Sequence, residues 1–224
     1  MNFDGDFIEL GAVDPAKLAD LAGAIGEHDW ELDIPGRGRV PATADLRSVA
    51  LVFDPDLRHS HPTRLPLLKV FESELRSALE LVADHFESGE KGQALVQQFG
   101  LGYFIRATFE RLRAAGSVEF GPDQGFSLVH SHRLHVPLVT SEAASFTVGS
   151  ATRHLEPGRV YEINNRRSRA EHNAGDIDRI HLVLDFVMRG ERCCCGVTRH
   201  PNTFCSPRAC RETDQLEIPC RCFD

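Results

Sequence analysis

Two strand-like segments with the same pattern constrain the fold of this chain more than any other feature. The segments at residues 133–136 and 179–182 read Arg-Leu-His-Val and Arg-Ile-His-Leu, so each is Arg-x-His with aliphatic residues in between and after. Because side chains alternate between the two faces of a strand, each segment predicts one face with Arg and His and an opposite aliphatic face. Two such strands indicate a sheet that closes around a polar interior.

The arginines of this pattern indicate the charge of a ligand. A guanidinium pairs with a carboxylate through two parallel hydrogen bonds, so an interior lined by Arg133 and Arg179 is expected to bind an anion. The alternative is that both arginines only pair with Asp or Glu side chains inside the barrel.

Strand-like runs dominate the chain after residue 98, and helical patterns come before it. Apolar residues at steps of three and four predict helices over residues 15–27 and about 64–87, and residues 88–92 read as a loop. Short runs with turn residues between them follow as far as residue 188, which predicts a jelly-roll barrel with N-terminal helices packed on it. We expect an N-terminal α/β portion at 1–92 and the barrel core at 93–190, both in one domain.

A cysteine-rich tail is predicted at residues 191–224. No cysteine precedes residue 193, and the seven cysteines are Cys193, Cys194, Cys195, Cys205, Cys210, Cys220 and Cys222. Three states are open for this tail: free thiols on a poorly ordered segment, a metal site that includes His200, or disulfides.

Charge and hydropathy narrow the possible partners and the location. The net charge of −8 argues against a nucleic-acid or anionic-membrane surface. No apolar run approaches 18 residues, so we expect no membrane span, and the acidic start of the chain does not read as a signal peptide. The predicted compartment is the cytoplasm.

Three strings within residues 98–188 resemble the aspartyl/asparaginyl β-hydroxylase family. They are HSHRLHVPLVT at 130–140, LEPGRVYEINN at 155–165 and DRIHLVLD at 178–185. The resemblance implies a mainly β fold, the double-stranded β-helix, which is a jelly-roll or cupin-like barrel. It also implies a dioxygenase that uses Fe(II) and 2-oxoglutarate to hydroxylate an amino acid or a peptidyl side chain of the Asp, Asn or Pro type.

The resemblance also assigns roles to single residues. Arg133 would help to hold 2-oxoglutarate, and His135 would lie against the same cosubstrate. Arg179 would pair with its far carboxylate.

The metal-binding positions depart from the family pattern. Gly121 stands where the motif H-x-D-x-G has its His, although Asp123 matches. Arg169 stands where the motif N-N-x-x-x-H-x-x-x-N has its His, although Asn173 closes the motif in register. Neither glycine nor a guanidinium can bind a metal cation through its side chain.

Three explanations of this departure are open. In the first, Asp123 holds the metal together with His172 or with a His of the pair at 130 and 132. His172 would then need a loop or a bulge, because it lies an odd number of residues past the expected position. Alternatively, the chain is a catalytically inactive family member that binds an anion or a protein partner. In the third explanation the metal comes from the cysteine-rich tail.

Truncation after Gly190 should leave the barrel folded, because the apolar alternation of the last strand is complete by Val187. Thermal melts of the full-length and the truncated chain test this expectation. Loss of cooperative unfolding in the truncated chain would show that the tail is part of the domain.

Overall fold

The computed structural model describes residues 3–31, 45–54, 62–120 and 131–188. The helices are α1 (Ala16–Gly23), α2 (Glu27–Glu31), α3 (Leu68–Glu87) and α4 (Gly89–Phe99). The strands are β1 (Phe7–Ala12), β2 (Leu46–Phe53), β3 (Thr63–Arg64), β4 (Tyr103–Leu112), β5 (Ser117–Phe120), β6 (His132–Val139), β7 (Ala144–Val148), β8 (Ala151–Arg153), β9 (Arg159–Ile163), β10 (Arg169–Asn173) and β11 (Arg179–Val187).

Within these ranges the strands form two antiparallel sheets. The main sheet has the order β1-β9-β6-β11-β4-β2-β3, and the second sheet has the order β5-β10-β7-β8. The sheets face each other, since Arg179 of β11 bonds to Glu171 of β10 and the His135 ring of β6 packs on Phe146 of β7. The predicted fold class, a mainly β jelly-roll barrel with N-terminal helices, is confirmed.

The two faces predicted for β6 and β11 are also confirmed. The aliphatic face of the main sheet packs under α1 and α3 in the largest apolar core, to which β6 contributes Leu134, Val136 and Leu138 and β11 contributes Leu182 and Leu184. Arg133 and His135 of β6 and Arg179 and His181 of β11 lie on the opposite face, toward the second sheet. β6 and β11 are direct neighbours, so their polar residues form one continuous surface.

The helical N-terminal region differs from the prediction in two places. The helix predicted over residues 15–27 ends at Gly23, and a separate short helix begins at Glu27. The loop predicted at 88–92 is wrong, because α4 occupies Gly89–Phe99. Ser88 is extended and Gly89 has a φ of +73°, so the chain changes direction at these two residues and the next helix begins at once.

Phe71→Ala should lower the free energy of unfolding by about 3–5 kcal/mol, since it removes a buried aromatic side chain. Phe71 is 1% exposed, and its ring centroid lies 4.8 Å from that of Phe109 in the main sheet. The adjacent Val70 is 55% exposed, so Val70→Ala is a matched control that should change stability little. Denaturant melts measure both variants, and equal losses would contradict this packing.

Candidate functional site

A buried carboxylate shared by two arginines lies at the centre of the main sheet. Asp185 accepts hydrogen bonds from Nε and Nη2 of Arg133, both at 2.9 Å, and from Nη1 of Arg106 at 3.1 Å. Arg106 also donates to Asp54, at 2.6 and 3.2 Å. Burial alone would raise the pKa of Asp185, but the two guanidinium groups hold this pKa far below its usual range. Asp185 is therefore ionised in the folded protein.

A second buried ion pair connects the two sheets. Arg179 donates from Nη2 to Oε2 of Glu171 at 2.5 Å, and the two residues are only 2% and 1% exposed. Within the described part of the chain, Nε and Nη1 of Arg179 are buried without a hydrogen-bond partner. A buried guanidinium with unmet donors is costly, so these atoms indicate a place for an acceptor.

Two histidines beside Arg179 also have unmet ring nitrogens. The Nδ1 atoms of His135 and His181 lie 3.3 Å apart, and both Nε2 atoms are buried without a partner in the described residues. Burial, followed by the charges of Arg133, Arg169 and Arg179, holds the pKa of His135 well below the usual imidazole value. Burial and the Arg179 charge lower the pKa of His181 in the same way.

Two neutral rings in this arrangement present different groups. One ring must donate its Nδ1 proton to the other, so one Nε2 is left as an acceptor and the other Nε2 as a donor. The pair therefore offers one donor and one acceptor on the face of the main sheet that also carries Arg179.

Arg169 adds a further buried positive charge from the second sheet. It is 6% exposed and shares the inward face of β10 with Glu171. We use the term inter-sheet cluster for the buried charged and histidine residues between the sheets: Arg106, Arg133, Arg169, Arg179, Asp54, Glu171, Asp185, His135 and His181. These described residues include four guanidinium groups and three carboxylates.

Of the residues predicted to bind metal, only His172 and His132 lie in the described part of the chain. Asp123, Gly121 and His130 lie outside the described residues. His172 is exposed on the face of β10 opposite to Arg169. The roles of Asp123 and His172 as ligands thus stay predictions.

His132 lies on the helix-facing side of β6 and contacts Glu162 through Nδ1 at 2.6 Å. The ring of Phe86 from α3 packs against it, with 4.1 Å between the ring centroids. In the described ranges no group of three or more His, Cys, Asp or Glu side chains is arranged to hold a metal ion.

Sequence analysis misses three members of the cluster, which are Arg106, Asp54 and Glu171. A single signal points to Glu171, because alternation along β10 places residue 171 on the same face as Arg169. His181 and Asp185 fall on the predicted polar face, but the sequence alone does not indicate that they bond to His135 and Arg133.

Comparisons with known proteins agree with the fold. Residues 90–189 match the family model described as aspartyl/asparaginyl beta-hydroxylase. A prolyl-4-hydroxylase from Pseudomonas putida is similar at 14% identity and a TM-score of 0.50, over 84% of this chain and 95% of that chain. A 2OG-Fe(II) oxygenase-family oxidoreductase from Burkholderia pseudomallei has 12% identity and a TM-score of 0.49, over 68% and 73% of the two chains. No curated protein sequence matches.

None of the helices in the described ranges has both the length and the apolar composition needed to cross a lipid bilayer.

Asp185→Asn should lower the free energy of unfolding by about 3–5 kcal/mol, because it leaves two buried guanidinium groups without their shared anion. The pKa of Asp185 is lower in the folded than in the unfolded chain. Its stabilising contribution is therefore complete above the unfolded pKa near 4 and is lost as the pH falls below that value.

Denaturant melts of both proteins between about pH 7 and pH 3 test this linkage. The difference in stability between wild type and Asp185→Asn should shrink toward the acid end. A difference that is constant over this range would contradict the assignment of Asp185 as the ionised centre of the network.

Proposed function

We propose that this chain, whose residues 90–189 belong to the aspartyl/asparaginyl beta-hydroxylase family, is a hydroxylase-like protein that binds 2-oxoglutarate between its two sheets. The observation that carries the proposal is the buried Arg179, whose Nε and Nη1 lack partners in the described part of the chain. A carboxylate is the acceptor that best satisfies a buried guanidinium.

The inter-sheet cluster suits a small dicarboxylate for three reasons. Arg179 has donors available for the far carboxylate, and the Nε2 atoms of His135 and His181 provide one donor and one acceptor nearby. Arg133 acts through its charge, since its Nε and Nη2 already bind Asp185.

Family membership implies Fe(II) in addition to 2-oxoglutarate. The described residues of the inter-sheet cluster suit 2-oxoglutarate better than they suit Fe(II). When bound in such hydroxylases, 2-oxoglutarate supplies electrons by its oxidative decarboxylation to succinate. Fe(II) does not fit the described residues, which contain no group of three suitable ligands. Hydroxylation of an amino-acid or peptidyl side chain, the first candidate function, thus requires a metal held with Asp123 or other residues outside the described ranges.

A second candidate function is favoured by one observation. Arg169 is buried on the inward face of β10, at the position where the family motif has its second metal-binding His. This substitution supports a catalytically inactive member that binds an anion or a protein partner. For both candidates a cytoplasmic location stays a prediction, and an amino-acid or peptide substrate stays a prediction for the first.

Arg179→Ala should weaken 2-oxoglutarate binding by about 1.5–3 kcal/mol, the usual value for a hydrogen bond to a charged group. Arg179→Lys should restore little of this loss, because an ammonium lacks the planar arrangement of donors. Arg64→Ala is the control, since the Arg64 side chain is 77% exposed. Calorimetric titration measures all three variants. Absence of 2-oxoglutarate binding by the wild type, with and without a divalent metal ion, would refute the proposed site.

Formation of succinate separates the two candidate functions. A hydroxylase should convert 2-oxoglutarate to succinate in the presence of Fe(II) and oxygen, and His172→Ala should abolish this turnover if His172 is a ligand. An inactive member should form no succinate, and His172→Ala should then leave 2-oxoglutarate binding unchanged. Both results are read by chromatography of the reaction mixture.

A further inference from the structure

We infer that the inter-sheet cluster binds its dicarboxylate without a metal ion, and that the guanidinium of Arg169 supplies the positive charge at the position of the family's second metal-binding His. This inference rests on the proposed 2-oxoglutarate site and specifies how that site is built. It makes ligand binding independent of divalent cations and insensitive to chelators.

The first argument is the position of Arg169 in the second sheet. β10 lies between β5 and β7, and Arg169 pairs in register with Phe120 on one side and Val148 on the other. A residue on an internal strand has a fixed backbone and a defined face. Arg169 is buried on the same face as Glu171, which lies two residues further along β10 and reaches Arg179 in the main sheet.

The second argument is that the charge of Arg169 acts on the opposite sheet. His135 lies on β6, and the positive charge of Arg169 is among the causes that depress its pKa. Arg169 and Arg179 therefore act on the same buried imidazole from two different sheets. A ligand anion beside His135 would be attracted by both guanidinium groups in a region where charges are weakly screened.

The third argument is that the carboxylates of the described cluster are already engaged. Each of the three accepts a hydrogen bond from an arginine. The two neutral histidines are engaged with each other through Nδ1, so the pair offers a metal ion a single Nε2 lone pair. A metal ion would have to break a buried ion pair to gain a carboxylate ligand, which is strongly unfavourable. Metal-free binding favours the second candidate function.

Titration of 2-oxoglutarate into the wild-type full chain tests metal independence directly. We expect the same dissociation constant, within about twofold, in excess EDTA and under anaerobic conditions with Fe(II). Binding that requires Fe(II) would overturn this inference and leave the proposed 2-oxoglutarate site intact. Absence of binding under both conditions would instead overturn the proposed site, so the two failures are distinguishable.

Variants at position 169 test the role of the guanidinium, all in excess EDTA. Arg169→Met should weaken binding about tenfold or more, as expected for the loss of a charge-assisted contact, and Arg169→Lys should retain part of the affinity because it keeps the charge. Arg159→Met is the matched control, because Arg159 is a half-exposed residue at the start of β9.

Thermal melts show which of these variants are folded. A folded Arg169→Met variant with wild-type affinity would overturn the assignment of Arg169. If Arg169→Met does not fold, the Arg169→Lys variant provides the test. A loss of 2-oxoglutarate affinity in Arg169→Lys as large as that in Arg179→Ala would contradict a role based on charge.

Discussion

The shared ion pairing of Asp185 is the interaction on which the rest of the structure depends. β11 lies between β6 and β4, and Asp185 bonds to an arginine on each of these neighbours. A buried charge is tolerated only when it is paired and hydrogen-bonded, so the three strands are coupled at this point by more than their backbone ladder. The opposite face of the same strands is aliphatic and packs under the helices. The main sheet can therefore carry a charged interior without exposing its apolar core.

The inter-sheet cluster follows from this arrangement. Arg133 is oriented by Asp185, and Arg179 is oriented across the gap by Glu171. Arg179 keeps two buried donor atoms without a partner in the described part of the chain, and Arg169 adds a positive charge from β10. This buried region is the one in which we propose that an anionic ligand binds.

In this protein the fold agrees with the family, but the side chains at the expected metal-binding positions differ from the family motif. The fold is similar to that of a prolyl-4-hydroxylase, and residues 90–189 match the aspartyl/asparaginyl beta-hydroxylase family model. The strand on which the family motif has its second metal-binding His carries Arg169 and Glu171 on its inward face instead. A fold alone does not determine a function, because function depends on the side chains at the site. On this strand Glu171 bonds to Arg179 of the opposite sheet.

The sequence by itself determined the strand faces, the mainly β class and the position of Arg133, His135 and Arg179 on one polar surface. These properties are local, because alternation along a strand is set by the backbone of that strand alone. Only the tertiary structure decided which groups meet. Asp185 and Arg133 are 52 residues apart in the chain, and Glu171 and Arg179 lie on different sheets. The turn at Gly89 was likewise undetermined, because a glycine permits both a loop and a junction between two helices, and packing selects one of them.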